Sequence, residues 1–478
     1  MLLGLDVGTS SVKALLLDER GARIAEAGAA YAVEHPRAGW AEIDPEAWWR
    51  GAVEATRALP AGERRAVRAL GLSGQMHGAV LCDARGAASR PAILWTDTRA
   101  AGLLGRFPPE AARRAGNLAG AGMLGPTLLW LAEHEPERLA AARLALLPKD
   151  WLRLRLTGEA ATDPSDATGT ALADRDGSWD DALVSRLGLR RQLLPPVVPS
   201  GAEAGRLTAE ASGELGLPAG LPVATGAGDT LAAALGTGLL DEGDAQLAIG
   251  SSAQIVVPRA RWPGFAPALN VYRSALPDGM PPWCQMAAML NGGLALDWAR
   301  SRLGLSWEEA WRRAFAPGAE KGQVIFLPYL SGERTPFMDP GLRGAWVGLG
   351  AADDAGELMR AALVGVACAI RLGLDALRAE GARPERLRLS GGGTVHAGFR
   401  QVLADVLGLP LDEVDGSAGS ARGAALLAGL ACGALAPGDL RALSSRPTPV
   451  ATPGDGPAAA AYPRFRDLHR RLSGWFTE

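Results

Sequence analysis

Met1-Leu-Leu-Gly-Leu-Asp-Val-Gly-Thr-Ser-Ser11 is an apolar run interrupted by one acid and then broken by a glycine and three hydroxyls. Met1–Val7 reads as a strand, Gly8-Thr-Ser-Ser11 as a turn and Ser11–Leu17 as the returning strand. Asp18-Glu-Arg-Gly21 is a second turn, and Ala22–Val33 a third strand. Strands joined by turns this tight run antiparallel. About half a chain later the plan returns. Leu221–Ala224 is a strand leading into Gly226-Ala-Gly-Asp229 and a helix over Thr230–Leu235, and Ala245–Ile249 is another, turning at Gly250-Ser-Ser252 into Gln254–Val257. A strand–glycine–hydroxyl–strand unit that occurs twice predicts two lobes of similar plan. The division is expected near residue 244, giving lobes of residues 1–244 and 245–478.

Between the two units the signals alternate. Asp44-Pro45 starts a helix, with Asp as N-cap and Pro in the first turn, and Trp48, Ala52, Ala55 and Leu59 share one of its faces. A strand over Ala66–Leu72 ends in Ser73-Gly-Gln-Met-His-Gly78, and a second hairpin is expected from Ala79–Cys82 and Pro91–Trp95 around Asp83-Ala-Arg-Gly86. Amphipathic helices follow near Met123–Glu133 and Asp150–Leu156, whereas Leu193–Gly220, rich in Pro, Gly and Ser, reads as a connecting segment.

Composition narrows the function classes. The 478 residues are 48% hydrophobic and 21% charged, as in ordinary globular proteins. A net charge of −3 lacks the basic excess of a nucleic-acid binder. Cys82, Cys284, Cys368 and Cys432 lie singly in apolar stretches and read as buried thiols of a reducing compartment. The histidines show no metal-ligand spacing. Neither a signal peptide nor an apolar run of about 18 residues is present, so a cytoplasmic protein with no membrane or nucleic-acid partner is expected.

Glycine turns with adjacent hydroxyls at Gly8-Thr-Ser-Ser11 and Gly250-Ser-Ser252, and the triplet Gly391-Gly-Gly393 after the strand Leu387–Ser390, suit close approach of a phosphate. Each, taken singly, reads more readily as a plain turn. No GxxxxGK[ST] and no helix-opening GxGxxG occurs, which argues against a P-loop or dinucleotide fold. Asp6 is a charge at the end of an apolar strand, costly to bury unless used. Asp229 reads either as a helix cap or as a carboxylate that accepts a hydroxyl proton. Gln75, Met76 and His77 follow a buried strand, where polar groups commonly face a ligand crevice, and Trp95 offers an apolar wall at another strand end.

Together these residues resemble the FGGY carbohydrate kinases. The resemblance runs in order through Gly4-Leu-Asp-Val-Gly-Thr-Ser10, Gly74-Gln-Met-His-Gly78, Pro91-Ala-Ile-Leu-Trp95, Leu147-Pro-Lys-Asp150, Ser165-Asp-Ala-Thr-Gly169, Gly226-Ala-Gly-Asp229, Phe326-Leu-Pro-Tyr-Leu-Ser-Gly-Glu-Arg-Thr-Pro336 and Ser390-Gly-Gly-Gly393. It implies an α/β, two-lobed, actin-like (ribonuclease H-like) ATPase fold with mixed sheets, ATP in the interlobe cleft and closure on a sugar. It implies that Asp229 is the general base, that Asp6 and Asp229 attend Mg²⁺, and that Gln75, Met76, His77, Trp95, Asp229 and Thr230 form the sugar site. Gly8, Thr9, Ser10, Lys13, Gly250, Ser251, Ser252, Gly391, Gly392 and Gly393 are then the ATP site. The Gln-Met-His-Gly tetrapeptide points to D-xylulose rather than glycerol or gluconate. The implied partners are the sugar and ATP, with pairing into a homodimer left open. Thr230 departs from the family's usual Asn after the base, Thr127 from a Lys, Val364 from an acid, and Ser251 and Ala253 from Thr and Gly.

Overall fold

A computed structural model describes residues 1–318, 323–416, 418–444 and 447–476. The first sheet has seven strands. β1 (Leu2–Val7), β2 (Ser11–Leu17) and β3 (Arg23–Ala30) form an antiparallel meander, with Asp6 opposite Lys13. β4 (Ala69–Gly74) lies parallel to the other edge of β1, with Asp6 opposite Ser73. The sheet is completed by the edge strand β5 (Glu203–Arg206), by β6 (Pro222–Ala224) and by the short β7 (Ala227–Gly228) beside the end of β4.

The second sheet, also of seven strands, repeats the plan. β8 (Gln246–Ile249) turns back through β9 (Ala253–Arg259), which pairs with the hairpin of β10 (Asn270–Arg273) and β11 (Trp283–Met289). On its other side β8 runs parallel to β12 (Leu387–Ser390), then come β13 (Leu411–Glu413) and β14 (Thr448–Ala451). Each sheet thus has a hairpin whose first strand carries parallel neighbours. That is why the glycine–hydroxyl turns at Gly8 and Gly250 occupy equivalent places.

Helices cover both sheets. α1 (Pro45–Ala58) is capped by Asp44, whose carboxylate accepts the Glu46 N–H, and buries the expected Trp48, Ala52 and Ala55 against the first sheet. α2 (Pro148–Thr157) and the single turn α3 (Pro164–Ala167) lie beneath the strand ends, and α4 (Asp229–Gly236) starts directly from β7. The 25-residue α5 (Ala355–Ala379), capped by Asp354 and Glu357, forms the spine of the second core. α6 (Gly419–Ala431) belongs to the second half by sequence but packs on β1, β4 and α4. It comes so close that a Cβ at Gly4 or Gly71 would sit 1.9 Å from a carbonyl oxygen of that helix. Leu2, Leu15, Leu17 and Ala69 therefore share one buried cluster with Leu235, Ala421, Ala425, Leu427 and Ala428.

Two expectations are corrected. Val80–Cys82 and Ala92–Ile93 are not a paired hairpin beyond one bridge, Ala79 to Ile93; the first pairs with Leu144–Leu146 and the second with Glu42–Ile43. Buried Arg90, in ion pairs with Glu42 and Glu135, and Pro91, without an N–H, draw the chain toward Glu42 instead. Leu193–Gly220 is no mere connector, since it contributes β5 and a helix over Ala209–Leu215, capped by the Thr208 hydroxyl. The prolines of that stretch fall outside both elements, and β5 itself is an edge strand. Cys82, Cys284 and Cys368 are buried free thiols, and Cys432 is half-buried. No described helix is long and apolar enough to cross a membrane.

Candidate active site

Asp6 stands at the end of β1, where Ser73 of β4 donates to its Oδ1 at 2.6 Å. Burial pushes its carboxyl above the ordinary range despite that bond and the Lys13 charge. Asp229 opens α4 without capping it: the Thr230 N–H reaches its Oδ1 at 2.6 Å and the Thr230 hydroxyl at 3.3 Å. Burial, then the Asp6 charge, pushes Asp229 up to about 7. Two buried carboxyls, both raised and the charge of one felt by the other, suit a divalent cation between or beside them. Among the described residues no group of three or more His, Cys, Asp or Glu is gathered as a cage. An ion such as Mg²⁺, which keeps its waters and needs only one or two carboxylates plus phosphates, fits this pair.

The turn after β4 brings the expected sugar-side residues to Asp229. A Cβ at Gly228 would meet Met76 Cγ at 2.7 Å, so Met76 packs directly beneath the residue before Asp229. His77 is held at φ +77°, a left-handed conformation that costs a side-chain-bearing residue about 1–2 kcal/mol. Its Nδ1 bonds the Gly169 carbonyl at 2.6 Å. Because a carbonyl only accepts, Nδ1 carries the proton and Nε2 is left as an acceptor. Burial pushes His77 down to about 4, so the ring is neutral at physiological pH. Tyr272 on β10 faces it at 6.3 Å between ring centroids, and the Arg334 charge reaches both.

The structure puts Gln75 elsewhere. It is 1% exposed, and its Nε2 donates to the Gly8 carbonyl at 3.1 Å, as does the Tyr31 hydroxyl at 2.5 Å. Gln75 thus braces the first glycine turn from below. Trp95 is 45% exposed and donates its indole N–H to Thr9 Oγ1 at 3.0 Å, which links the aromatic wall to that turn. In the second half, Gly250 and Ser251 line a cavity of about 590 Å³ with Gly293, Leu294, Asp297, Trp298 and Ser301. Gly391 and Gly393 pack on Ile249 at the end of β8, beside this turn. Residues 8–13 do not line that cavity.

Several residues here lay outside the sequence reading. The side chains of Tyr31, Ser73 and Tyr272 meet Gly8, Asp6 and His77, 23, 67 and 195 positions away, so no local signal marks them. Ser165 and Arg334 lie in the stretches Ser165–Gly169 and Phe326–Pro336, where spacing alone assigns them no role. Among the described residues, the arrangement offers one carboxylate able to take a proton, a neutral imidazole acceptor, an aromatic wall, and glycine–hydroxyl turns suited to phosphate.

Residues 1–236 match the N-terminal domain, and residues 248–432 the C-terminal domain, of the FGGY family of carbohydrate kinases. The chain is 39% identical over 487 residues to the xylulose kinase of Escherichia coli (strain K12), covering 99% of this chain and 98% of that one. It is 40% identical over 444 residues to the xylulose kinase of Klebsiella pneumoniae, covering 90% of each. Among solved structures, a xyloylose kinase from Brucella ovis superimposes with a TM-score of 0.92 at 36% identity, over 99% of both chains.

Proposed function

The chain belongs to the FGGY family of carbohydrate kinases, and from that premise we propose that it transfers the γ-phosphoryl group of ATP to the 5-hydroxyl of D-xylulose. The reading of the acceptor is supported by the full-length likeness to two xylulose kinases. What carries the reading of the site is the meeting, at Asp229, of Met76 packed against the preceding Gly228 on one side and the Asp6 charge on the other.

Asp229 acts as the general base. Thr230 engages its Oδ1 with both N–H and hydroxyl, which leaves Oδ2 to receive the proton of the attacking oxygen. That oxygen attacks the γ-phosphorus in line as ADP leaves, and the proton ends on Asp229. Because such transition states are loose, orientation and charge neutralisation supply most of the rate. His77 Nε2 accepts from a sugar hydroxyl, and Trp95 covers an apolar face of the sugar. Mg²⁺, held by Asp6 and Asp229 through its waters, would neutralise phosphate charge. The turn at Gly8–Ser11, braced by Gln75 and Tyr31, faces the phosphates with Lys13 beside it, and the Gly250 cavity with Gly391–Gly393 takes the rest of the nucleotide. This assigns the sugar and first phosphate turn to residues 1–244 and the nucleotide to 245–478, a division that the two repeated sheets support.

The test is ADP release from Mg·ATP across D-xylulose, D- and L-ribulose, glycerol, gluconate and no sugar, with Asp229→Ala alongside. Selective turnover of D-xylulose that disappears in the variant is expected. Preference for another acceptor would keep the kinase and reassign its sugar, whereas ATP hydrolysis indifferent to sugar would refute the proposal.

A further inference from the structure

Five charged side chains beneath the site take no part in the proposed transfer. Lys149, Asp150, Arg153, Asp163 and Asp166 are each 0% exposed. Lys149 Nζ lies 2.6 Å from Asp150, 2.9 Å from Asp163 and 3.0 Å from Asp166, and Arg153 lies 3.1 Å from Asp150. Taking that many charges out of water is costly, and hydrophobic residues of similar volume often give an equal or more stable core. The network therefore calls for a reason beyond stability, and its outward bonds supply one.

Those bonds converge on the segment that leads into Asp229. Arg153 donates to the Thr225 carbonyl at 2.7 Å. The Ser200 carbonyl takes the Gly226 N–H at 3.0 Å. Ser165 Oγ takes the Gly228 N–H at 3.0 Å while donating to Asp163 Oδ2 at 2.5 Å. That same oxygen also receives the Ser165 N–H at 2.9 Å and the Ser200 hydroxyl at 2.8 Å. Asp163 is thus the node, held by Lys149. The far end of the same short element reaches the sugar side, where the Gly169 carbonyl fixes His77 Nδ1. It also reaches the second sheet: Thr168 Oγ1 accepts the Arg273 N–H at 3.2 Å, and Asn117 bridges the Thr168 carbonyl to Val271.

We propose that residues 163–170, clamped by Lys149 through Asp163, are a positioning element that holds Asp229 and His77 in register with each other and with the second sheet. Ser165 is its decisive contact, because its hydroxyl is the link between the buried charges and the amide that precedes Asp229. The inference rests on the kinase reading above. Ser165 touches neither sugar nor nucleotide in it, so Ser165 acts through Gly228 and Asp229.

Steady-state kinetics on Ser165→Ala test it, with turnover expressed per folded molecule and folding checked by thermal melting. A loss of about ten- to a hundredfold in kcat is expected, the range produced by small misplacements of a reacting group. KM for Mg·ATP should stay within about threefold, since nothing in the element reaches the nucleotide turns. Ser200→Ala, which frees one bond to Asp163, should lower kcat in the same sense and less. It also gives a reading if Ser165→Ala fails to fold. A purely structural role would reduce the folded fraction and leave kcat per folded molecule at the wild-type value, and that result overturns the proposal. Asp229→Ala separates the two readings. Wild-type turnover there overturns the base itself, while wild-type turnover in folded Ser165→Ala beside an inactive Asp229→Ala overturns the positioning role alone.

Discussion

Asp229 is raised to about 7 by burial and by Asp6, whereas a base must be ionised to accept a proton. At pH values below about 7 the fraction of competent enzyme falls, approaching tenfold for each further unit. Measured at limiting Mg·ATP, where kcat/KM reports the protein before nucleotide binds, activity should rise with pH through the neutral range and level off above about 8. A flat profile between pH 5 and 8 would count against Asp229 as the titrating base. The buried charges below it make a second prediction. Lys149 and Arg153 face three carboxylates, so the cluster is neutral only if one carboxyl keeps its proton. Asp166 is the one whose hold on a proton is raised: burial, against Lys149 at 3.0 Å and with the Asp163 and Asp150 charges adding to it, keeps it well above the usual range. Asp166→Asn should therefore melt within a few degrees of wild type at pH 7. Asp163→Asn, which removes the partner of Lys149 and an acceptor shared by Ser165 and Ser200, should cost about 3–5 kcal/mol. Equal losses in calorimetry would contradict the assignment. Asp6 stood out in the sequence because a charge at the end of an apolar strand is costly without a use, whereas Asp229 read also as a helix cap, a role it does not fill. Ser165 and Tyr272 were not legible in sequence, since their roles arise from contacts with residues 63 and 195 positions away.

At the scale of elements, the strands flanked by glycine turns fell within a few residues of where the sequence placed them, because apolar runs and tight turns are local signals. Val80–Cys82 and Ala92–Ile93 went astray for the opposite reason. Ala92–Ile93 is drawn to Glu42–Ile43 beside the buried Arg90–Glu42 ion pair, and Val80–Cys82 pairs with the distant Leu144–Leu146, partners that no window of neighbours reveals. Register between β1, β4 and α6 is likewise a matter of space. A side chain at Gly71 would have to displace the Ala424 carbonyl of α6, 1.9 Å from its Cβ, and a helix backbone yields little. Gly71→Val should overpack this seam by about 3 kcal/mol or more, seen as a lower melting temperature and reduced recovery of folded protein. Gly62→Val, where nothing lies within 4 Å, serves as its control and should change stability little.

For the whole molecule, the doubling of the plan was visible in the recurrence of one strand–turn–strand unit, but the way the halves close on each other was not. α6 crosses from the second half to seal the face of the first sheet. This threading sets a timetable for synthesis. As the chain leaves the ribosome, Leu2, Leu15 and Ala69 wait without their α6 cover until Gly419–Ala431 has been made, 350 positions after Ala69. Such a nascent lobe is a natural client for chaperones, and one that cannot be freed by folding domain by domain. Residues 1–244 expressed alone should aggregate or bind hydrophobic dyes, and co-expression with 245–478 should restore them to solution. If the first half instead proved monomeric and fully folded by itself, the seam would be a convenience of the finished enzyme rather than a condition of its birth.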